Sequence, residues 1–456
     1  MKDTISVIGL GKLGLCLAAC FAERGFDTIG IDINEQTVNS INDGISPLVE
    51  TGLDKLISKT AGKSLKAASN HRLAIEETDV TFILVQTPSN PDGMISNKYV
   101  TSVLKALASA LKDSDKEYHL FVISSTVMPG SIEKEFVPLI EKNSGRKLNV
   151  GFGMCYVPEF VALGSVIKDF LNPDLVVIGE SGSHAGEIAE VIYQKFCLNN
   201  PPIIKMSPVN AEITKMSLNV YMTLKISYAN LLSNICEKLP GADVDVVTKA
   251  LGFDRRISPY YLKGGLSYGG TCFPRDVKGF IAFARQHKFS SELVEAVDRA
   301  NQDRSRIVAE TVLQQLSFVG GKTAAVLGVA FKPNTPVITE SPAVKIIDEL
   351  LKNNINVIVY DPLAMENTRA LFGDKIQYAS SAKDCFAQSS VCVITTQADE
   401  FKRIDESFIA NDPTVIIDCW RILNPAGLGE KTVYVPVGRW KNVEKIKTCL
   451  PAGRGR

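Results

Sequence analysis

The sequence predicts an α/β protein in which two doubly wound parallel-sheet domains are joined by a central all-helical domain. Three observations predict this architecture. Strand-like runs alternate with helical patterns at the start of the chain and again after about residue 320, which is typical of parallel sheets. Between these regions the apolar residues recur at helical spacing. The chain has 456 residues, a length that suits two or three domains.

The first predicted domain, residues 1–200, opens with a glycine turn between two strands. The strand Ile5–Ile8 leads into the sequence Gly9-Leu10-Gly11-Lys12-Leu13-Gly14, a helix follows from Leu15 to Arg24, and a second strand ends at Asp32. In a Rossmann-like fold the three glycines allow the tight turn, the approach of a pyrophosphate and helix packing, while the acid accepts the ribose hydroxyls. We therefore predict that this turn and Asp32 bind NAD rather than NADP. The alternative is a structural glycine turn in another α/β protein.

Polar residues follow three further predicted strands of this domain. The runs Val80–Gln86, Leu120–Ser125 and Val150–Met154 are followed by Thr87, by Thr126 and by the pair Pro158-Glu159, and Leu175–Gly179 is another short run. Ligands of doubly wound sheets bind at the carboxyl ends of the strands. These side chains are therefore candidates for a binding site.

The central domain, residues 201–317, is predicted to contain one long helix from Pro208 to Leu239. Shorter helices are predicted over Asp243–Leu251, Asp276–His287 and from Ser291 to about residue 316. On the long helix, Glu212, Lys215 and Asn219 share one face. A lysine and an amide in one pocket suit the stabilisation of an oxyanion, and the alternative is a solvated polar stripe. Long helices of this kind often form dimer interfaces.

One cysteine of this domain lies in a segment suited to covalent catalysis. The segment reads Gly269-Gly270-Thr271-Cys272-Phe273-Pro274-Arg275-Asp276. A thiolate is the reactive form of cysteine, and a nearby cation stabilises it. The glycines allow close approach of a substrate carbon. The alternative is a buried structural cysteine.

The third predicted domain, residues 318–440, is a second Rossmann-like unit. Strands are expected over Thr323–Leu327, Asn356–Tyr360, Cys392–Thr396 and Thr414–Ile417, with a helix over Val344–Asn353. The sequence Gly328-Val329-Ala330-Phe331-Lys332 stands where the first domain has its glycine turn, so a nucleotide would bind differently here. The tail, residues 441–456, is basic and expected to be flexible.

Composition and charge exclude several classes of function. Hydrophobic residues make up 45% of the chain, and fifty basic residues balance fifty acidic ones, so nucleic acid and acidic membranes are not expected partners. Ten cysteines are scattered without a CxxC pair and only four histidines occur, so neither a metal site nor a disulfide framework is expected. No apolar run reaches the ~18–20 residues of a membrane span. Without a signal peptide in the sequence, we expect a cytoplasmic protein.

Six motifs in order resemble the UDP-glucose/GDP-mannose dehydrogenase family over about residues 4–440. They are the glycine turn, Ser125-Thr126-Val127, Pro158-Glu159-Phe160, Glu212-Ile213-Thr214-Lys215, Gly270-Thr271-Cys272-Phe273-Pro274-Arg275-Asp276, and Gly328-Val329-Ala330-Phe331-Lys332-Pro333-Asn334-Thr335. The resemblance implies an NAD-dependent, four-electron oxidation of the C6 alcohol of a nucleotide sugar to a uronic acid. A homodimer or higher homo-oligomer is expected.

The resemblance also implies roles for individual residues. Cys272 would form a thiohemiacetal and then a thioester, Lys215 and Asn219 would stabilise oxyanions, and Asp276 and Thr126 would position a water for Glu159 acting as a general base. The cofactor contacts would be Gly9, Gly11, Lys12, Leu13, Gly14, Asp32, Thr87, Thr126 and Arg275. The substrate contacts would be Glu159, Phe160, Lys215, Asn219, Arg256, Tyr260, Tyr261, Leu262, Lys263, Gly269, Phe331, Lys332 and Arg421.

Two departures from the family pattern leave other functions open. Arg275 replaces a lysine, and Pro336-Val337-Ile338-Thr339-Glu340-Ser341 lacks the arginine that usually precedes Glu340. UDP-glucose is the expected substrate, with UDP-galactose, UDP-N-acetylhexosamine and GDP-mannose as alternatives. A two-electron hydroxyacid dehydrogenase needs neither Cys272 nor a third domain, and a non-catalytic nucleotide-sugar sensor is the other rival.

Overall fold

The computed structural model describes residues 4–440, which divide into two compact units with the boundary between Leu218 and Asn219. The predicted basic tail, 441–456, lies outside the described residues. The boundary falls within one long helix, so that helix contributes residues to both units. The division into three domains stays a prediction.

The first unit is an eight-stranded α/β sheet. Its elements are β1 Thr4–Ile8, α1 Gly14–Glu23, β2 Asp27–Ile31, α2 Glu35–Asn42, α3 Leu53–Thr60, β3 Leu65–Ala68, α4 Arg72–Glu77, β4 Val80–Ile83, α5 Lys98–Lys112, β5 Leu120–Ile123, a π-helical turn Ile132–Phe136, α6 Val137–Ser144, β6 Gly153–Tyr156, α7 Val166–Leu171, β7 Val176–Glu180, α8 Ser183–Phe196 and β8 Ile203–Met206. The strand order is β3-β2-β1-β4-β5-β6-β7-β8. Only the β6–β7 pair is antiparallel among these strands. The first six strands therefore have the order of a Rossmann fold.

Apolar helices cover both faces of this sheet. The helices α1, α2, α3, α7 and α8 share one buried cluster with the strands, and α4, α5 and α6 share the other. The strands β4, β5 and β6 are buried along their whole length, as expected for parallel strands covered on both sides.

The helix α9, Pro208–Cys236, is the long helix that the sequence predicts. The remaining elements of the second unit are α10 Val244–Gly252, α11 Phe273–Gln286, α12 Glu292–Val319, β9 Thr323–Leu327, α13 Pro342–Lys352, β10 Asn356–Tyr360, α14 Met365–Phe372, β11 Gln377–Tyr378, α15 Ala382–Gln388, β12 Val391–Ile394, β13 Thr414–Asp418 and β14 Thr432–Pro436. Short 3-10 turns lie at Gly373–Lys375, Phe401–Arg403, Glu406–Phe408 and Pro425–Gly427.

The six strands of the second unit form a parallel sheet in the order β11-β10-β9-β12-β13-β14. This order repeats the arrangement of the first six strands of the first unit. The helices α12 and α13 cover one face and α15 covers the other. The prediction of two Rossmann-like sheets with helices between them in the chain is thus confirmed.

Several predicted elements end earlier than expected, such as β4 at Ile83 and α9 at Cys236, and two predicted starts were wrong for local reasons. The strand predicted over Val150–Met154 begins only at Gly153, because Asn149 is left-handed (φ of +60°) and Val150 is 76% exposed in a turn. The helix predicted from Asp276 begins at Phe273, where Pro274 suits the first turn. Cys272 therefore lies directly at the start of a helix rather than inside a loop.

Candidate functional site

The glycine turn between β1 and α1 has the geometry of a dinucleotide-binding loop. Gly9 has a φ of +92°, and a Cβ there would lie 2.7 Å from the carbonyl oxygen of Leu84. A Cβ on Gly14 would lie 1.8 Å from the carbonyl oxygen of Gly9. Apart from Gly11 itself and its two chain neighbours, no heavy atom of the described residues lies within 4 Å of a Cβ placed on Gly11. The turn therefore leaves room at its middle glycine for a pyrophosphate.

Asp32, at the end of β2, is bonded to this same turn. Its Oδ2 accepts a hydrogen bond from the Leu10 amide at 2.7 Å, and its Oδ1 accepts one from the Asn34 amide at 2.9 Å. A carboxylate has about four lone-pair positions, so the two oxygens keep capacity for ribose hydroxyls. Lys12 and Leu13 stand at the start of α1, whose first turn contains no acidic residue. The residues of this turn fit NAD.

The other predicted residues of the first unit lie at the same sheet edge. Thr87, Thr126 and Glu159 follow β4, β5 and β6, which are adjacent to one another and, through β4, to β1. Parallel strands place their carboxyl ends along one edge. The structure therefore lines up the glycine turn, both threonines and the glutamate along a single edge of the first sheet.

Glu159 is held from two directions. The hydroxyl of Tyr193 on α8 donates to its Oε1 at 2.9 Å, and Lys215 Nζ on α9 donates to its backbone oxygen at 2.6 Å. The same ammonium lies 4.9 Å from the centroid of the Phe160 ring, close enough for a cation–π contact. Three predicted residues, Glu159, Phe160 and Lys215, are thus in contact within the first unit.

The environment of Glu159 changes its acidity. Burial raises the pKa of this carboxyl to about 7, while the hydrogen bond from Tyr193 and the charge of Lys215 act in the opposite direction. A group with a pKa close to neutral accepts and releases protons readily near pH 7. Glu159 is therefore suited to general acid–base chemistry.

Glu212, which shares a predicted face with Lys215, has a different environment. Its carboxylate accepts hydrogen bonds from the backbone amides of Gly130 and Ile132, the latter at 2.9 Å. These amides open the helical segment that continues into α6, so Glu212 caps that segment. Burial raises the pKa of Glu212 to about 7. Its position is explained by capping, without a catalytic role.

Cys272 lies in the second unit and is exposed, whereas the other eight described cysteines of the chain are buried. It directly precedes α11, and its backbone oxygen accepts a hydrogen bond from the Asp276 amide at 2.8 Å. The Thr271 hydroxyl lies 3.6 Å from its sulfur. Its exposed sulfur is accessible to a substrate carbon, so this cysteine is suited to act as a nucleophile.

Asp276 connects the neighbours of this cysteine. It is fully buried, its Oδ2 accepts from Asn219 Nδ2, and its Oδ1 accepts from Arg275 Nε at 2.8 Å. The carboxylate therefore orients the Asn219 amide and holds the Arg275 guanidinium. A carboxylate has about four lone-pair positions, so each oxygen of Asp276 keeps the capacity to accept a further hydrogen bond.

Lys263 lies next to the second sheet. Its Nζ donates to Gln397 Oε1 at 3.2 Å, and partial burial lowers its pKa. Gln397 follows β12, at the carboxyl edge of that sheet. A partly buried lysine at the carboxyl edge of a parallel sheet is suited to bind an anionic group of a ligand.

Arg421 is fully engaged by protein groups. Nε and Nη2 bond the two oxygens of Asp245 at 2.7 and 2.8 Å. The remaining donors bond the backbone oxygens of Cys419, Val437 and Gly264 at 3.2, 2.6 and 2.6 Å. All five N–H donors of a guanidinium are thereby used. The predicted substrate contact of Arg421 would require an exchange of these bonds.

The other predicted substrate residues of this unit fall into two groups. Phe331 is near the cysteine segment, since a Cβ on Gly270 would lie 2.6 Å from its ring, and Lys332 lies 5.7 Å from the centroid of that ring. Gly269 packs tightly against the backbone near Glu340, since a Cβ on Gly269 would lie 2.3 Å from the backbone oxygen of Glu340. The structure does not bring Arg256 to these residues, because it pairs with Asp254 at 2.6 Å and its side chain is 83% exposed. Tyr260 and Tyr261 are exposed, and Leu262 is buried.

Models of three domains of one family match the chain in order. They are the NAD binding domain, the central domain and the UDP binding domain of the UDP-glucose/GDP-mannose dehydrogenase family, over residues 3–197, 209–303 and 325–425. The chain belongs to this family. It is therefore an NAD-dependent oxidoreductase of the nucleotide-sugar 6-dehydrogenase family, as the sequence motifs predict.

Individual relatives agree with this membership. The chain is 38% identical to the UDP-glucose 6-dehydrogenase of Haloferax volcanii, over 92% of this chain and 97% of the relative. It is 32% identical to the GDP-mannose 6-dehydrogenase of Pseudomonas putida, over 78% and 80%. The solved UDP-glucose dehydrogenase of Pyrobaculum islandicum has a TM-score of 0.86 at 31% identity, over 96% of this chain and 98% of that one.

The sequence predicts neither a membrane-spanning segment nor a metal site, and both expectations can be compared with the described residues. Across residues 4–440, no helix is both long and apolar enough to cross a membrane. In the same residues, no cluster of three or more histidine, cysteine or acidic side chains has the arrangement of a metal site.

The sequence did not reveal several partners of the site residues. Tyr193, Gln397 and Asp245 bind Glu159, Lys263 and Arg421, respectively. Each is a single polar residue far along the chain from its partner, with no motif of its own. Only the fold brings these pairs together.

Proposed function

We propose that this enzyme oxidises the C6 hydroxymethyl group of UDP-glucose to the carboxylate of UDP-glucuronate. The overall reaction converts one alcohol, two NAD⁺ and one water to a carboxylate, two NADH and three protons. The observation that carries the proposal is the exposed Cys272 at the start of α11, next to the bonded pair of Asn219 and Asp276. NAD, when bound at the glycine turn, accepts the hydride that leaves the sugar carbon.

Cys272 has the role of covalent nucleophile. Its sulfur adds to the C6 aldehyde, and the carbonyl oxygen takes up a proton to give a thiohemiacetal. Loss of a hydride and of the hydroxyl proton then leaves a thioester on the same sulfur. The covalent bond retains the aldehyde between the two oxidations. The exposed thiol of Cys272 supports this role.

Lys215 and Asn219 have the role of oxyanion donors. They lie four residues apart on α9, which is one helical turn. The ammonium of Lys215 already donates to a carbonyl oxygen, that of Glu159, at 2.6 Å. The amide of Asn219 is oriented by Asp276. Donors that are held in place before the reaction stabilise developing negative charge without reorganisation.

Glu159 has the role of general base in thioester hydrolysis. It removes a proton from the attacking water, and the thiolate of Cys272 leaves as the carboxylate product forms. The pKa of about 7, which burial produces, matches this task. Thr126, which follows the neighbouring strand β5, and Asp276 are proposed to help position the water.

UDP-glucose is proposed because UDP-glucose 6-dehydrogenases are among the relatives of highest identity, at 38% and 33%. GDP-mannose is the second candidate, since GDP-mannose 6-dehydrogenases reach 32%. The test is a panel of UDP-glucose, UDP-galactose, UDP-N-acetylhexosamines and GDP-mannose at equal concentration, followed by NADH absorbance. The proposal requires the highest kcat/KM with UDP-glucose. A higher value with GDP-mannose would transfer the proposal to that substrate.

A homodimer or higher homo-oligomer is also part of the proposal. Large apolar side chains are exposed in one stripe along the second half of α9, at helical spacing: Tyr221, Tyr228, Leu231 and Ile235. Exposed apolar stripes of this kind mark interaction surfaces. Light scattering of the intact chain should give at least twice the monomer mass, and Leu231→Lys with Ile235→Lys should lower it. Lys238→Ala, at an exposed residue just after the end of α9, serves as the control.

The organisation of the chain completes the proposal. We propose an NAD-binding domain over residues 1–200, a helical domain over 201–317 and a nucleotide-sugar-binding domain over 318–440. The three family matches, over residues 3–197, 209–303 and 325–425, support this division. Arg275 and Lys332 are proposed as cofactor and substrate contacts. A cytoplasmic location is supported by the described cysteines, none of which forms a disulfide.

A further inference from the structure

The backbone that leads to Cys272 is held by side chains of neighbouring helices and of one loop. We call residues Gly264–Gly270 the clamped segment. Its backbone oxygens accept hydrogen bonds from side chains: Gly264 O from Arg421, Gly265 O from Arg304, Leu266 O from Asn230 and Tyr268 O from Asn301. The amides of Gly265 and Tyr268 donate to Asn230 and Asn301, and the hydroxyls of Ser267 and Ser305 are bonded to each other. A segment without regular secondary structure is thus fixed at almost every residue.

Asn301 on α12 makes the most complete of these contacts. Its Oδ1 accepts a hydrogen bond from the Tyr268 amide at 2.7 Å, and its Nδ2 donates to the Tyr268 carbonyl oxygen at 3.1 Å. The residue is 3% exposed. One side-chain amide therefore satisfies both backbone groups of a buried residue, as a neighbouring strand would.

Tyr268 in turn contacts the residue after the nucleophile. Its ring packs edge-on against the Phe273 ring, with centroids 6.2 Å apart. Phe273 is the first residue of α11 and directly follows Cys272. Tyr261 packs on the same ring at 6.1 Å. Any movement of the Tyr268 backbone therefore moves the aromatic contact that supports the start of α11.

We propose that Asn301 is a positioning residue that fixes Cys272 by pairing with the backbone of Tyr268. This inference rests on the proposed function, in which Cys272 captures the aldehyde. Without the amide, two buried backbone groups lose their partners, and such groups move toward water or other partners because they are costly to leave unpaired. A displacement of about 1 Å at a reacting group lowers the rate by up to about 100-fold.

The test compares Asn301→Ala with Gln302→Ala, which removes an exposed amide from the same helix. With UDP-glucose, Asn301→Ala should lower kcat by about 10- to 100-fold and leave KM within about threefold. Free aldehyde should appear among its products, because capture by the thiol is slowed. The inference is overturned if Asn301→Ala has the kcat of Gln302→Ala, or if kcat and KM change together.

A second measurement needs no substrate and separates this inference from the proposed function. Hydrogen exchange of the intact chain should be at least about tenfold faster at the amides of the clamped segment in Asn301→Ala than in Gln302→Ala. Equal exchange would overturn the clamp. If instead the wild type oxidises no nucleotide sugar, the proposed function fails while the exchange result still decides the clamp.

A milder variant covers the case in which Asn301→Ala does not fold. Ser305→Ala removes the hydroxyl that lies 2.7 Å from that of Ser267, the residue before Tyr268. We expect the same pattern with a smaller effect, a loss of about fivefold in kcat. A value of kcat equal to that of Gln302→Ala would overturn the inference.

Discussion

The hydrogen bond from Tyr193 to Glu159 controls the acid limb of the pH profile if Glu159 is the general base. Tyr193→Phe removes only the hydroxyl that lies 2.9 Å from Glu159 Oε1. This bond stabilises the carboxylate, so it lowers a pKa that burial has raised to about 7. Its loss should raise the pKa of Glu159 further.

The magnitude follows from the strength of such bonds. A hydrogen bond to a charged group contributes about 1.5–3 kcal/mol, and one pKa unit corresponds to about 1.4 kcal/mol. Because the base acts in its deprotonated form, activity is lost as the pH falls through its pKa. The midpoint of the acid limb should therefore move from about 7 upward by about 1 to 2 pH units.

The assay is kcat for NADH formation with UDP-glucose between about pH 5.5 and 9.5, since this parameter reports groups in the bound complex. Tyr118→Phe is the control, because Tyr118 is a half-buried tyrosine of the first unit whose ring lies 5.0 Å from that of His184 in a tilted contact. The reasoning is refuted if Tyr193→Phe lowers kcat equally at every pH without moving the limb.

Three other substitutions test separate parts of the account. Cys272→Ser should lower the rate of uronate formation by at least about 1000-fold. Calorimetry should show a Kd for UDP-glucose within about threefold of the wild-type value. Substantial uronate formation by this variant would exclude the thiol as nucleophile. Asp32→Asn should raise the KM for NAD by about tenfold or more, because hydrogen bonds to a charged acceptor are weakened, whereas Asp27→Asn, at an exposed position of β2, should leave it unchanged. Glu212→Gln tests a stability effect. Burial raises the pKa of Glu212 from an ordinary 4.5 to about 7 in the folded state. The folded protein therefore binds this proton more tightly than the unfolded chain does. As the pH rises between these two values, the free energy of unfolding should fall by about 3 kcal/mol. Thermal unfolding across this range should show a flatter pH dependence for Glu212→Gln, and an unchanged slope would count against a protonated Glu212.

The sequence predicted those parts of the site that are encoded in short segments. The glycine turn, Asp32 and the cysteine segment each combine residues close in the chain, so turn chemistry and spacing identify them. The two Rossmann-like sheets were predictable for the same reason, because strands and helices alternate with clear periods. The strand near residue 150 was misplaced, since the left-handed conformation of Asn149 is not visible in an apolar run.

Tertiary contacts account for what the sequence did not reveal. Arg421 is a basic residue after a strand, which suggests an anion contact, yet Asp245 lies 176 residues away and binds it. Glu212 shares a helical face with Lys215, yet the amides that it caps belong to a segment 80 residues away. Charge and spacing identify candidate functional residues in the sequence. The hydrogen-bond partners of these residues are determined by the tertiary packing of strands and helices.

The number of NADH molecules formed per UDP-glucose tests the central claim most directly. The intact enzyme, with UDP-glucose limiting and NAD⁺ in excess, should form two NADH for each sugar consumed, and mass spectrometry should identify the uronate. One NADH per sugar with an aldehyde product would contradict the four-electron oxidation and the covalent role of Cys272.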